Sequence, residues 1–117
     1  MLINKLLLND TDELLLSELW LPQGFWSRLR GLLGRPPLLV SQGMLFTDCR
    51  AIHTCFMQQA IDVVFLDNNF FITRLVAGVT PYRFASDTNA CHTLELANGA
   101  IARFKLAPGK RLNVREA

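Results

Sequence analysis

The 117-residue chain lacks any apolar run long enough to cross a bilayer as a helix, has only three cysteines and two histidines, and contains no internal repeat. A spanning helix needs about 20 consecutive apolar residues, so membrane insertion is not expected. Cys49, Cys55 and Cys91 are odd in number and sparse, which excludes a dense disulfide framework and fits free thiols in a reducing cytoplasm. Excess charge of one sign is missing as well: 12 basic residues stand against 10 acidic ones, for a net charge of +2. A nucleic-acid binder of this size carries a dense basic face, and these charges are too weakly segregated to make one. No C-x-x-C or H-x-H pair occurs, so the four-ligand shell of zinc has no evident framework. Neither a metal nor another cofactor is expected.

What the chain does have is apolar material along its whole length, half of all residues and eight of them Phe. That composition excludes disorder and supports one domain over residues 1–117. Met1 to Asp10 is broken by Asn4 and Lys5 and ends on Asn-Asp. It reads as a first strand rather than a secretory signal, which needs a longer apolar stretch and a small-residue cleavage site.

Leu2–Leu8 and Glu13–Leu21 flank Asn9-Asp10-Thr11-Asp12, whose side chains close turns on their own backbone, so residues 1–22 are expected to form a β-hairpin. Leu29, Leu32 and Leu33 stand at helical spacing in Ser27–Gly34, predicting a short helix capped by Ser27 and ended by Gly34. Beyond Gly43 the pattern is β: Gly43–Phe46, Ile52–Met57, Ile61–Asp67 and Phe70–Val79, the last two around the turn Asp67-Asn68-Asn69. The Phe70–Val79 run is apolar on both faces, which predicts cover on both sides. Tyr82–Asn89 reads as a loop, Cys91–Leu96 as a strand, Ala100–Leu106 as a second short helix and Arg111–Val114 as a last strand. The predicted architecture is mainly β, a compact β-barrel or jelly-roll-like sandwich with one or two short helices.

Several segments carry a resemblance when taken in order: Arg30-Gly31-Leu32-Leu33-Gly34-Arg35, Gly43-Met44-Leu45-Phe46, Ile52-His53-Thr54-Cys55-Phe56-Met57 and Ile61-Asp62-Val63-Val64-Phe65-Leu66-Asp67. Pro81, Leu94-Glu95-Leu96 with Gly99, and Gly109 follow. Over residues 25–114 the chain resembles DUF192, also called UPF0127. The resemblance implies a compact, mainly-β barrel or jelly-roll-like domain and no particular activity. Two positions depart from the family's habit: Gly109-Lys110 stands where Gly-Asp is common, and Gln58-Gln59 follows Met57.

The chemical candidates lie mostly in one segment. His53 and Cys55 are two apart, so on a strand they share a face. Asp62 opens an apolar run, where a carboxylate must be paired or hydrogen-bonded; it either accepts backbone N–H bonds, pairs with Arg28 or Arg30, or lines a site. Glu95, between Leu94 and Leu96, is expected to face solvent. Met44 and Met57 read first as core filling.

The first functional expectation is a binding module for a small ligand or peptide, with His53, Thr54, Met57 and Asp62 as ligand-binding candidates and Arg28 and Arg30 beside them. The second is an interaction or accessory protein that meets its partner through Trp20 or Trp26. The third is an enzyme with His53 and Asp62 as an acid–base pair, since imidazole changes charge in the physiological range. No nucleic-acid partner is expected, and no catalytic residue is assigned.

Overall fold

The computed structural model describes residues 2–22, 37–55 and 57–116. Nine strands and one short helix are present among them: β1 (Leu2–Leu8), β2 (Leu14–Leu21), β3 (Gln42–Phe46), β4 (Ala51–His53), β5 (Ile61–Leu66), β6 (Ile72–Val79), β7 (Phe84–Ser86), β8 (His92–Ala97), α1 (Ala100–Arg103) and β9 (Leu112–Glu116). The protein is mainly β, as expected. The helix predicted over Ser27–Gly34, with Arg28 and Arg30, lies outside the described residues.

Seven strands form one curled sheet in the order β6-β5-β8-β3-β2-β1-β9, while β4 and β7 form a separate ribbon. All neighbouring pairs are antiparallel except β2 with β3. The sheet curls far enough for its two edges to meet at one end. Phe71, just before β6, bridges Arg111, just before β9. The Ile72 N–H donates to the Lys110 carbonyl at 2.8 Å, and the Leu112 N–H to the Phe70 carbonyl at 3.0 Å. Joining the edges there removes part of the unpaired backbone that open sheets leave exposed.

Side-chain alternation then builds two cores. Leu6, Leu16, Leu19, Leu45, Val64, Leu66, Ile72, Leu94, Leu96 and Leu112, from all seven strands, fill the concave side. Burying such side chains contributes roughly 1.5–3 kcal/mol each. The opposite side carries Ile61, Val63 and Phe65 of β5, covered by Ile52 of β4, Ala85 of β7 and Ala90. Both β5 and β8 are therefore buried along their whole length.

Five sequence expectations are corrected or narrowed. The strand expected over Ile52–Met57 stops at His53, because Thr54 turns the chain, so His53 and Cys55 do not share a strand face. Tyr82–Asn89 contains β7, a strand too short to leave a periodic signal. The run ending at Val79 does pack on both sides, Ile72 and Leu75 against the inner core and Val76 and Val79 against the outer one, but Arg74, Ala77 and Gly78 of this edge strand are exposed. Glu95 does not face solvent; it is 5% exposed. The second helix is present but shorter than expected.

Candidate functional site

The segment from His53 to Asp62 is pinned by hydrogen bonds, and these decide where each candidate sits. The buried Thr54 hydroxyl donates to the Thr80 carbonyl at 2.7 Å and accepts the Arg83 N–H at 2.8 Å. Its backbone joins the same clamp, with its N–H on the Arg83 carbonyl at 2.9 Å and its carbonyl accepting the Tyr82 N–H at 3.1 Å. Thr54 thus fastens the end of β4 to the loop that follows Pro81. His53, one residue earlier, is exposed and lies across the ribbon from Phe84. Met57 packs against the outer core with Val63 and Phe65.

Asp62 belongs to the other side of the sheet. Ile61 and Val63 enter the outer core and Val64 the inner one, so alternation carries Asp62 to the concave side. Its carboxylate is fully buried and accepts two backbone amides, Gly78 N–H and Ile101 N–H, each at 2.9 Å. Ile101 lies in the first turn of α1, whose leading amides have no partner within the helix. Gly99 at the helix start offers no side-chain cap, so Asp62 caps α1 from a distance. Of the readings open for Asp62, backbone acceptance is the one observed. Both its oxygens are occupied by amides, and His53 is not among its partners.

The buried group that sequence reasoning missed is Glu95. On β8 it lies opposite Met44 of β3 and Val63 of β5, and Met44 is next to Trp20 of β2. Met44 and Val63 are fully buried. The Glu95 carboxyl thus sits among apolar side chains. Removal from water penalises its charged form and pushes its pKa up to about 8. At neutral pH Glu95 is therefore mostly a neutral acid with a proton to donate. Two places along the same face, Thr93 donates its hydroxyl to the Cys49 carbonyl at 2.7 Å. The signal available in the sequence was an acid between two leucines, and it could not reveal that the opposite face is covered.

The structure brings Met57 and Glu95 onto one side of the sheet, Met57 against the outer core and Glu95 next to Val63, with His53 on the ribbon that covers this side. It places Asp62 on the other side. Among the described residues no cluster of three or more His, Cys, Asp or Glu side chains has the spacing to hold a metal ion. No helix among them is long and apolar enough to cross a membrane.

The fold defined by this sheet and ribbon recurs in solved structures. One is a protein from Sinorhizobium meliloti 1021, described as a candidate transcription regulator. It superposes with a TM-score of 0.80 at 20% identity, over 96% of this chain and 92% of that one. Another, of unknown function, comes from Novosphingobium aromaticivorans DSM 12444, with a TM-score of 0.81 at 19% identity over 95% of this chain and 84% of that one. At such identities the likeness is one of fold. No curated protein matches the sequence. The chain belongs to the DUF192 family (Uncharacterized ACR), whose model matches residues 7–114.

Proposed function

We propose that this domain is a binding module for a small ligand, held on the outer side of the sheet with Glu95 as its polar anchor. The observation that carries this reading is a carboxyl on a buried strand, flanked by the fully buried Met44 and Val63, whose charged form is penalised by removal from water. Ionisable groups whose pKa is displaced by burial concentrate at functional sites. A neutral acid in apolar surroundings suits a ligand that is largely apolar and offers one acceptor.

Within this reading Met57 lines the same face, Thr54 fixes the loop that carries it, and His53 stands at the exposed rim. Arg28 and Arg30 are the cationic candidates for a charged end of the ligand. Asp62 contributes from the far side by holding α1. The chain acts as one domain over residues 1–117 in the cytoplasm, and its low net charge argues for a small ligand or protein partner over nucleic acid. Ligand-shifted melting against panels of metabolites and short peptides at pH 6.5 tests the proposal. At least one compound should raise Tm, and the rise should disappear in E95Q. A panel without effect, or a shift that E95Q leaves intact, overturns it.

A protein-partner reading has one observation in its favour. Phe84 is 71% and Tyr82 63% exposed, both near His53 at the end of the ribbon. If this surface is the functional one, Phe84→Ser abolishes capture of a partner while leaving Tm and small-ligand shifts unchanged.

A further inference from the structure

Two of the three thiols lie on chain segments that are fastened side by side. The Cys49 N–H donates to the Cys91 carbonyl at 2.8 Å, the Asp48 N–H to His92 Nδ1 at 3.1 Å, and the Thr93 hydroxyl to the Cys49 carbonyl at 2.7 Å. Three bonds over three consecutive residues of β8 and its approach leave the two segments little freedom to separate. A direct N–H to carbonyl bond puts the two α-carbons roughly 5–6 Å apart, inside the window a disulfide requires.

Side-chain direction agrees. Cys49 packs against the outer core, and the alternation of β8, carried one residue back from His92, puts Cys91 on the side that Thr93 and Glu95 occupy. Both cysteines are free and partly exposed. In the reduced protein the Cys49 thiol donates to the Ala51 carbonyl at 3.0 Å. A thiol is a weak donor, so turning Cys49 Sγ away from that carbonyl sacrifices little. Cys55, by contrast, lies in the turn after Thr54, and no described bond ties it to either of the others.

We propose that Cys49 and Cys91 are a reversible dithiol–disulfide pair, oxidised by exchange with a low-molecular-weight disulfide. One cysteine thiolate attacks a sulfur of the small disulfide, forming a mixed disulfide and releasing one small thiolate. The second cysteine thiolate then attacks the protein sulfur of that mixed disulfide and expels the other small thiolate. Two electrons pass from the protein to the small disulfide, and the two protons lost by the cysteines end on the two released thiols. The bond would tie the segment after β3 to the entry of β8, at one end of the face that holds Glu95. This inference does not depend on the ligand-binding proposal.

The test uses the folded full chain with oxidised glutathione. After alkylation of the remaining thiol and proteolysis, mass spectrometry should find a Cys49–Cys91 cross-linked peptide and an alkylated Cys55. The oxidised protein should melt on the order of 10 °C higher, and dithiothreitol should reverse both changes. Cys55→Ser should still form the cross-link, whereas Cys91→Ser should give only the mixed disulfide at Cys49. A cross-link through Cys55, mixed disulfides alone in the unsubstituted chain, or a Cys49–Cys91 bond that forms only in urea overturns the proposal. Loss of the ligand shift in E95Q with the disulfide still forming separates this pair from the binding site.

Discussion

Asp62 and Glu95 leave adjacent strands on opposite sides of one sheet, both buried, and among the described residues backbone amides reach the oxygens of Asp62 and not those of Glu95. Register sets the contrast: Asp62 lies opposite Leu96 and Glu95 opposite Val63, so each carboxyl points to the side its strand neighbours leave. On the concave side, the ends of β6 and α1 present two backbone N–H groups to Asp62. On the outer side, Glu95 meets apolar neighbours. The same pair of strands thus carries one acid fastened by backbone amides and one set among apolar side chains.

The protonation of Glu95 should be visible in stability. Its pKa is about 8 in the folded protein against an ordinary 4.5. Between those values the folded chain holds a proton that the unfolded chain has lost. Stability from this group is thus fully present below pH 4.5 and is lost as pH rises towards 8, at no more than about 1.4 kcal/mol per pH unit. E95Q keeps a neutral polar group of the same size and cannot ionise. The Tm of E95Q relative to the unsubstituted protein is expected to rise steadily from pH 5 to pH 8 and then level off. A gap that stays flat over that range means Glu95 is charged in the fold.

The acid that sequence reasoning found and the one it missed differ in what surrounds them along the chain. Asp62 opens an unbroken apolar run, so its burial and need for partners were legible. Its donors lie 16 and 39 residues away and were not. Glu95 alternates with two leucines, a pattern that normally means one dry face and one wet face. The pattern fixes which way the side chain points but not what covers it, and the cover here is a ribbon of two three-residue strands. Such strands are too short for periodicity to announce. The Asp67 turn was easier, because its cause is local: Asp67 Oδ1 accepts the N–H groups of Asn69 and Phe71 at 2.9 and 3.0 Å.

Removing the Asp62 carboxylate should cost the fold heavily. Asp62→Ala strands two buried amides, with an expected loss on the order of 2–5 kcal/mol. Asp62→Asn keeps one acceptor oxygen but turns an NH₂ group towards a donor, so it should recover only part of that loss. Urea unfolding of the three proteins gives the order directly. Hydrogen exchange should show the amides of Gly78 and Ile101 losing protection first.

The Thr54 clamp predicts a local effect. Thr54→Val keeps the shape but removes the hydroxyl that donates to Thr80 and accepts from Arg83. A loss of roughly 1–3 kcal/mol is expected, with faster amide exchange at Tyr82 and Arg83 and unchanged exchange in β1 and β2. Thr54→Ser, which retains the hydroxyl, should restore both protection and most of the stability. If serine behaves like valine, the methyl group and its packing matter more than the hydroxyl.

Gly43 tests how closely the inner core is packed behind β3. A β-carbon built there would lie 2.6 Å from Leu16 Cδ1, 3.1 Å from Leu96 Cδ2 and 3.2 Å from the Glu95 carbonyl. Leu16 is 1% exposed and Leu96 fully buried, so neither side chain has open space to retreat into, and the third contact is backbone. Inserting a methyl group into such a core costs about 1–3 kcal/mol. Gly43→Ala should therefore lower stability by that amount, although alanine is a conservative change on an exposed strand. Paired with Leu16→Ala, which vacates the space nearest the new methyl, Gly43→Ala should cost less than it does alone. Strictly additive losses in that double-mutant cycle would mean that the strain is taken up by the backbone of β8 at Glu95 and not by the leucine.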